Sequence, residues 1–273
     1  MQVSKSDFDY IRKLVLDNSA IVLEEGKEYL VESRIGPVAK AEGFETIDQL
    51  VEALRMNRIN GLHTKVVEAM TTNETSFFRD FNPFEALKDF VLPELLKNRT
   101  NNKVLNFWCG ASSSGQEPYS VAMLLQENFP SLTANKINFI ASDISEEMLQ
   151  RCRSGEFSQL EVNRGLSATY LIKYFDRSGI KWTIKKELRD FIQFRQINLS
   201  QDFPLLPKMD IVFLRNVLIY FDIEMKKKIL TQIKSILQPD GYLFLGGAET
   251  TLNLDESFTR AGVKYSGCYR LKG

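Results

Sequence analysis

The first seventy or so residues repeat apolar side chains with the period of an α-helix. This spacing is clear over residues 8–15, from Phe8 to Val15, and again over 50–54, from Leu50 to Leu54. No alternating apolar and polar run, of the kind that marks a strand, stands out before Met70. The pattern predicts a small N-terminal helical domain over residues 1–72.

Beyond residue 82 the pattern changes, and short apolar runs alternate with helical segments. Strands are predicted over Val104–Trp108, Ile137–Ile140, Asp210–Leu214 and Gly241–Leu245. Helices are predicted over Phe84–Phe90, Ser120–Glu127, Glu146–Arg153 and Met225–Leu237. This alternation indicates an α/β fold with a mostly parallel, doubly wound sheet over residues 73–273. Sheets of this kind bind ligands at the carboxyl ends of their strands.

One stretch departs from this order of strands and helices, because its apolar and polar residues alternate as in an exposed strand. Ile180–Lys185 alternates apolar and polar residues, and Leu188–Phe194 follows with a less regular version of the same pattern. Asp176–Gly179 supplies turn residues just before it. The pattern predicts an inserted antiparallel β subdomain over about residues 156–195, exposed on one face. Two interpretations stay open: the subdomain is a docking surface, or it is a surface insertion without a function.

Composition and charge limit the possible functions. The 273 residues carry a formal net charge of +0, so no overall basic field favours nucleic acid as a partner. The first residues lack the order of a signal peptide, and no apolar run is long enough to cross a bilayer. Three cysteines without a C-x-x-C pair suit a reducing cytosol. We therefore expect a cytoplasmic location and no direct membrane insertion.

Histidine is nearly absent from the chain. His63 is the one histidine, and it lies in a polar stretch well before the glycine-rich segment. A single histidine argues against a His-rich metal site and against acid–base catalysis by histidine. The sequence therefore predicts no metal site.

A glycine-rich segment, Asn106–Tyr119, joins a predicted strand to a predicted helix. The spacing of Gly110 and Gly115 is similar to that of a phosphate-binding loop, which requires Lys and Ser or Thr directly after the second glycine. Gln116 and Glu117 stand there instead. A carboxylate at this point repels a triphosphate and attracts a cation, such as the amino group of a methionine moiety. The alternative is a tight turn whose glycines serve packing alone.

Three further segments place polar side chains near the strand ends. Asp143 ends the second predicted strand, where an acid either accepts hydrogen bonds from a ribose or caps the next helix. Thr71–Asp80 contains Arg79, which suits a two-point carboxylate clamp, although the segment also fits a capped helix start. Arg215 and Asn216 follow the strand Asp210–Leu214, where either a ligand or solvent would lie. Together these segments predict a ligand site at one edge of the sheet.

The chain resembles the chemotaxis receptor methyltransferases, the CheR family, in six segments that occur in the family's order: TTNETSFFRD, FWCGASSSGQEPYS, ASDIS, INLSQDFP, FLRNVLIYFD and GYLFLGGAE. The resemblance covers nearly the whole chain, including the helical N-terminal part. It implies a Rossmann-like S-adenosylmethionine-dependent methyltransferase sheet with a small N-terminal helical domain and the inserted β subdomain.

The resemblance also implies an activity and a partner. Members of the family are protein-glutamate O-methyltransferases that use S-adenosyl-L-methionine and release S-adenosyl-L-homocysteine. They convert glutamate side chains of methyl-accepting chemotaxis receptors to 5-O-methyl esters, which serves sensory adaptation. The implied partner is the cytoplasmic domain of such a receptor.

The same resemblance implies roles for individual residues. Arg79 would lie near the cofactor's carboxylate, Glu117 would face its amino group, and Asp143 would hold its ribose. Tyr220 would lie near the transferable methyl group, so Tyr220 and Arg79 are the catalytic candidates. The resemblance implies six other cofactor-binding residues: Asn73, Thr75, Asn198, Leu199, Arg215 and Asn216. Asn198 and Leu199 would border the adenine, and Arg215 and Asn216 would line the floor of the site.

Two segments depart from the family's pattern. Members often carry a row of arginines on an N-terminal helix that meets the receptor, whereas Glu32–Lys40 contains few basic residues. Some members grip a peptide at the receptor's tail through the inserted β element, and the turn Asp176–Gly179 is short for that type. We therefore expect that no tail peptide tethers this protein.

Two other functions compete with receptor methylation. A methyltransferase acting on DNA bases would show an Asn/Asp-Pro-Pro-Tyr/Phe segment or a Pro-Cys nucleophile, and neither occurs. A methyltransferase for a small molecule and a non-catalytic, cofactor-binding signalling module both remain as alternatives. A turnover assay separates the module from an enzyme.

Overall fold

The computed structural model describes residues 3–57, 61–98, 104–133, 136–262 and 267–272. The chain forms two compact units. The first comprises residues 1–72 together with two short segments, Leu199–Gln201 and Tyr220–Lys226. The second comprises Asn73–Asn198, Asp202–Ile219 and Lys227–Gly273.

The first unit is helical, as the apolar spacing predicts. Its helices are α1 (Lys5–Ser19), α2 (Glu28–Ala41), α3 (Ile47–Arg55) and α4 (Leu62–Met70). Ser4 and Thr46 begin α1 and α3, because each side-chain oxygen accepts a hydrogen bond from a backbone N–H of the first turn, at 3.1 and 3.2 Å. The apolar faces meet in one core in which Ile11, Val31 and Leu50 are fully buried.

The described residues of the second unit form ten strands: β1 (Leu105–Gly110), β2 (Ile137–Asp143), β3 (Glu156–Ser158), β4 (Phe175–Ser178), β5 (Lys181–Ile184), β6 (Ile192–Gln196), β7 (Met209–Leu214), β8 (Leu237–Leu245), β9 (Phe258–Arg260) and β10 (Cys268–Leu271). Seven of them form one sheet in the order β6-β2-β1-β7-β8-β10-β9. The first five strands in that order are parallel, β10 is antiparallel to β8, and β9 is antiparallel to β10. The predicted mostly parallel sheet is confirmed.

Helical segments precede and connect these strands: α5 (Asn82–Ala86), a π-helical turn (Leu87–Val91), α6 (Leu92–Asn98), α7 (Gln116–Asn128), α8 (Pro130–Thr133), α9 (Glu146–Ser154), α10 (Gln159–Asn163), α11 (Ala168–Tyr174), α12 (Lys186–Asp190), a 3-10 turn (Leu218–Tyr220) and α13 (Ile223–Ile236). The predicted helix over Phe84–Phe90 is therefore divided by the π-helical turn. In the described part of the chain, no helix combines the length and apolar composition that a membrane crossing requires.

The burial of the central strands explains why their sequences read as short apolar runs without regular polar alternation. All residues of β7 are buried, so both faces of this strand are covered. Phe213 of β7 stacks on Phe244 of β8, with ring centroids 4.4 Å apart. A strand buried on both faces has no polar alternation, in contrast with the half-exposed strands of an antiparallel sheet.

A small antiparallel sheet in the order β3-β5-β4 stands apart from the large one. Ser178 pairs with Lys181, so only Gly179 and Ile180 connect β4 to β5. Gly179 adopts a positive φ of 59°, which glycine reaches without steric cost.

The prediction for Leu188–Phe194 is wrong, because this segment is not part of an antiparallel element. Its first residues belong to α12, and its last ones form β6, the edge strand of the large sheet, parallel to β2. Ile192 pairs with Phe139 and is buried against the large core. Alternation alone does not reveal whether a short strand pairs with the preceding hairpin or with a distant parallel strand.

Candidate functional site

The candidate site lies where neighbouring parallel strands of the second unit end. A glycine-rich loop follows β1, Asp143 ends β2, Asn198 comes shortly after β6, and Arg215 follows β7 directly. These four strands are adjacent in the sheet, and Gly110 pairs with Ser142 while Asp143 pairs with Gln196. Because parallel strands end at the same edge, the residues that end or follow these four strands meet there.

Two glycines, Gly110 at the end of β1 and Gly115 before α7, pack closely against their surroundings. Gly115 has φ of +98°, and a Cβ there would lie 3.1 Å from Cys152 Sγ. A Cβ on Gly110 would lie 2.8 Å from Leu214 Cδ1. The packing role that the sequence leaves open therefore applies to both glycines. It also brings the backbone of β1 close to the end of β7.

Asp143 ties this loop to the end of β2. Its Oδ2 accepts the Ser113 N–H at 2.8 Å, and its Oδ1 accepts the Ser145 N–H at 3.0 Å. The cap of α9 is Ser145, whose hydroxyl accepts the Met148 N–H at 3.3 Å. Asp143 therefore organises the loop geometry, and the N-cap role belongs to its neighbour.

The segment around Arg79 is hydrogen-bonded to the same loop and to helix α7, which follows it. The Ser113 hydroxyl donates to the Asn73 carbonyl at 2.8 Å, and the Phe78 N–H donates to the Ser120 hydroxyl at 2.9 Å. Thr75, between them, is half-buried. A capped helix start, the alternative for this segment, is wrong, because α5 begins only after Phe81, which provides no side-chain cap.

Backbone strain concentrates in the loops of this site. Six non-glycine residues in three of these loops have φ in the left-handed region: Phe78, Asp80, Phe81, Ala111, Ser113 and Asn216. Such conformations cost about 1–3 kcal/mol each and persist only where the surrounding structure imposes them. Their concentration at one edge of the sheet is typical of a functional site.

Arg215 is buried and forms an ionic cluster with Glu117 and with Asp80. Its side chain is only 1% exposed, and its Nη1 donates to Glu117 Oε2 at 2.5 Å. Its Nη2 donates to Asp80 Oδ2 at 2.7 Å and to the Arg79 carbonyl at 3.0 Å. Among the described residues nothing pairs with its Nε. Solvation of this loop, the alternative left open by the sequence, does not hold for Arg215.

Glu117, at the start of α7, is a buried carboxyl group whose pKa is affected by several charged side chains. Burial raises the pKa of its carboxyl above the ordinary value, and Glu249 acts in the same direction, while Arg215 and Arg79 lower it. A carboxylate whose burial is only partly compensated is stabilised by a further cation. The glycine-rich loop therefore presents an acceptor for a positively charged group rather than for a phosphate.

Sequence reasoning missed one organising residue, Glu249. It is 8% exposed, and its Oε2 accepts the N–H groups of Gly246 and Asn216 at 2.6 and 2.8 Å. Its Oε1 accepts those of Val217 and Leu218 at 2.9 and 2.7 Å. The available signal was an acid a few residues beyond the apolar strand β8, at the edge where the other candidates lie.

Two predicted residues fall in the first unit. Leu199 is buried there, and Tyr220 ends a 3-10 turn and accepts the Val22 N–H with its carbonyl at 3.0 Å. Their positions beside a cofactor stay predictions. Asn198 belongs to the second unit, next to Ile197, whose N–H donates to the Asp143 carbonyl at 3.1 Å.

The thiols near the glycine-rich loop are poor nucleophiles. All three cysteines are free and buried. Burial raises the pKa of Cys152 to about 12 and that of Cys109 well above its ordinary value, so both stay protonated near neutral pH. Across the part of the chain that the structure describes, no group of three or more His, Cys, Asp or Glu side chains is placed to hold a metal ion.

Comparison with known proteins agrees with this geometry. The family model "CheR methyltransferase, all-alpha domain" matches residues 6–71, and "CheR methyltransferase, SAM binding domain" matches residues 73–266. The chain is 41% identical over 277 residues to "Chemotaxis protein methyltransferase 1" of Pseudomonas aeruginosa, covering 100% of both chains.

Two further relatives are similar over most of their length. "Chemotaxis protein methyltransferase Cher2" of Pseudomonas putida is 41% identical over 263 residues, covering 94% of this chain and 95% of its own. "Chemotaxis protein methyltransferase" of Escherichia coli is 30% identical over 268 residues, covering 96% and 90%. The predicted resemblance and the predicted cofactor are confirmed: this chain belongs to the CheR methyltransferase family and is a chemotaxis methyltransferase with S-adenosylmethionine as its cofactor.

Proposed function

We propose that this enzyme is a protein-glutamate O-methyltransferase acting on the cytoplasmic domain of methyl-accepting chemotaxis receptors. The observation that carries this proposal is the ionic cluster beside the glycine-rich loop, in which the buried Arg215 pairs with Glu117 and with the half-exposed Asp80. Family membership supplies the reaction class, and the cluster supplies groups that match the amino-acid end of the cofactor. A cytoplasmic location follows, because the acceptor glutamates are cytoplasmic.

The donor set fits the zwitterionic end of S-adenosylmethionine. Glu117 offers a buried carboxylate for the ammonium group, and Arg79 offers a guanidinium whose charge acts on Glu117, which suits the adjacent carboxylate. Asp143, at the end of β2, has the position from which an acid holds a ribose in nucleotide-binding sheets. Asn73, Thr75, Asn198 and Asn216 would complete the cofactor contacts.

The bound cofactor supplies a methyl group on a positively charged sulfur, and the protein's own groups supply orientation and a dry environment. The acceptor glutamate has an ordinary pKa of about 4.3 and is already ionised near neutral pH, so the reaction requires no general base. Opposite charges cancel as the new bond forms, so exclusion of water lowers the barrier. Orientation by rigid loops contributes roughly 7–11 kcal/mol in favourable cases.

The loops of this site are suited to orientation because they are fastened at several points. Asp143 and Ser113 hold the glycine-rich loop, and Arg215 joins it to the segment of Arg79. We assign Tyr220 a role near the transferable methyl group, where its hydroxyl would help to align the acceptor carboxylate.

Receptor contact through α2 rests on few basic side chains. Arg34 donates from Nη1 to the Met70 and Thr71 carbonyls at 2.7 and 3.2 Å, and from Nη2 to Thr72 Oγ1 at 3.0 Å. This guanidinium therefore caps the carboxyl end of α4 and is engaged within its own unit. We infer that α2 contributes less to receptor binding here than an arginine-rich helix would.

We also infer that no receptor tail peptide is needed. The hairpin between β4 and β5 has a connection of two residues, Gly179 and Ile180, which leaves little turn to wrap a peptide. Calorimetric titration of the protein with the last residues of its receptor tests this directly. We expect no heat of binding, and a measurable affinity would contradict the inference.

The deciding experiment is transfer of radiolabelled methyl from S-adenosylmethionine to a purified receptor cytoplasmic fragment. We expect label that is released by mild base, because a carboxyl methyl ester is base-labile. A fragment whose candidate glutamates are changed to alanine is the matched control. Binding of S-adenosylhomocysteine without any transfer would favour the alternative, a non-catalytic signalling module. Base-stable label would indicate a different acceptor group.

A further inference from the structure

Glu249 connects the loops that follow two neighbouring strands. β7 and β8 are parallel, and their last residues, Leu214 and Leu245, are paired. The chain beyond β8 turns at Gly246 and brings Glu249 back to the chain that follows β7. One buried carboxylate thus receives backbone N–H groups from both loops.

These hydrogen bonds use the acceptor capacity of the carboxylate. An ionised carboxylate has about four lone-pair positions, and Glu249 accepts four backbone N–H groups, two at each oxygen. It therefore has no acceptor position left for a ligand. Any effect of Glu249 on a bound molecule must pass through the loops that it holds.

The two loops are also in close steric contact. Asn216 adopts φ of 58°, a left-handed conformation that a non-glycine residue keeps only when its neighbours impose it. A Cβ added to Gly246 would lie 2.6 Å from Asn216 Nδ2 and 2.9 Å from its backbone nitrogen. The absence of a side chain at Gly246 therefore allows Asn216 to take this conformation.

We propose that Glu249 is a positioning residue that fixes the backbone of Asn216–Leu218, and so sets Arg215 and Asn216 in the cofactor site. This inference rests on the proposed function, in which Arg215 and Asn216 contribute to that site. Arg215 leaves β7 immediately before the held backbone, and its guanidinium must reach Glu117 and Asp80 together. A loop free to shift would break this two-sided pairing.

Glu249→Gln tests the proposal with almost no change in size. The amide keeps one oxygen, but its NH2 group replaces the other oxygen and meets N–H donors instead of accepting from them. In cofactor-free protein, we expect amide hydrogen exchange of peptides covering 215–218 and 246–249 to become about tenfold faster or more, while β7 keeps its protection. Glu256→Gln, an exposed change in the same loop region, is the matched control.

Binding and kinetics separate positioning from a purely structural role. We expect the dissociation constant for S-adenosylhomocysteine and the KM for S-adenosylmethionine to rise by about tenfold to a hundredfold, because small misplacements are costly. The KM for the receptor fragment should stay within about twofold. Loss of folded protein alone lowers the active fraction without altering either KM, so a rise confined to the cofactor's KM indicates positioning.

Two results would overturn the proposal. One is unchanged exchange at both loops, and the other is faster exchange with unchanged cofactor affinity. If Glu249→Gln does not fold, Gly246→Ala displaces the same loop while keeping the carboxylate, and we expect the same loss of cofactor affinity. Wild-type protein that binds no S-adenosylhomocysteine would refute the proposed function instead, so the two failures are distinguishable.

Discussion

Replacing Arg215 with methionine leaves Glu117 as a buried carboxylate without its ion-pair partner. The two side chains are 1% and 13% exposed. Breaking a buried pair by removing one partner costs about 3–5 kcal/mol. The Asp80 pair adds little, because that carboxylate is half-exposed and screened by water. At about 2–4 °C per kcal/mol for a unit of this size, we expect the melting temperature to fall by about 6–20 °C.

The loss of stability in Arg215→Met should depend on pH, and the environment of Glu117 determines whether the loss grows or shrinks as the pH rises. Burial already raises the pKa of Glu117 above its ordinary value, and Arg215 opposes that increase. Without Arg215 the folded-state pKa rises further. A carboxyl whose pKa is raised by folding costs no stability below its unfolded pKa, and the cost grows as pH rises toward the folded pKa. The deficit of Arg215→Met should therefore be largest near neutral pH and smaller in mild acid.

Urea unfolding of wild type and Arg215→Met at about pH 7.5 and about pH 5.5 measures this difference. The double variant Arg215→Met/Glu117→Gln should recover about 2 kcal/mol or more, because it removes the uncompensated charge. Arg164→Met, which breaks the exposed pair with Glu74, should change stability by less than about 0.5 kcal/mol. A deficit that is equal at both pH values and is not reduced in the double variant would refute the reasoning.

Three further changes test other parts of the structure. Tyr220→Phe should lower kcat by about tenfold or more with little change in the calorimetric affinity for S-adenosylhomocysteine, and an unchanged kcat would remove Tyr220 from the mechanism. Arg79→Ala should weaken that affinity by about tenfold to a hundredfold, and an unchanged affinity would refute its assignment. Gly165→Ala should cost about 1–3 kcal/mol in urea unfolding, because Gly165 has φ of +89° and a Cβ there would lie 1.9 Å from the Phe77 carbonyl oxygen. Equal stability would show that the backbone there adjusts.

Much of the fold follows from local patterns. The helical period over the first seventy residues and the short apolar runs in β1, β2, β7 and β8 predict the elements that the structure contains. The pairing of the edge strand β6 was predicted wrongly, because its short alternating sequence is compatible with pairing to the preceding hairpin or to a parallel neighbour. The π-helical turn at Leu87–Val91 was also missed, since its apolar spacing is close to that of an ordinary helix.

The sequence predicts those residues of the candidate site whose chemistry lies within one short segment. The loop with Glu117 in place of a phosphate-binding lysine, and the acid at the end of β2, are visible without a structure. Glu249 was not, because its role depends on four N–H groups supplied by two loops. Arg215 was expected beside the ligand, but its burial as the centre of an ionic cluster was not.

The sequence by itself determines the order of helices and strands, the family and the cofactor, because period, turn residues and motifs are properties of neighbouring positions. The tertiary structure alone decides which charges meet. Arg215 and Glu117 are 98 residues apart in the chain, and they pair because β7 lies beside β1 in the sheet. Glu249 holds Asn216–Leu218 because β8 is the next strand along. Pairing across the sheet depends on strand order, and strand order is set by the packing of the whole core.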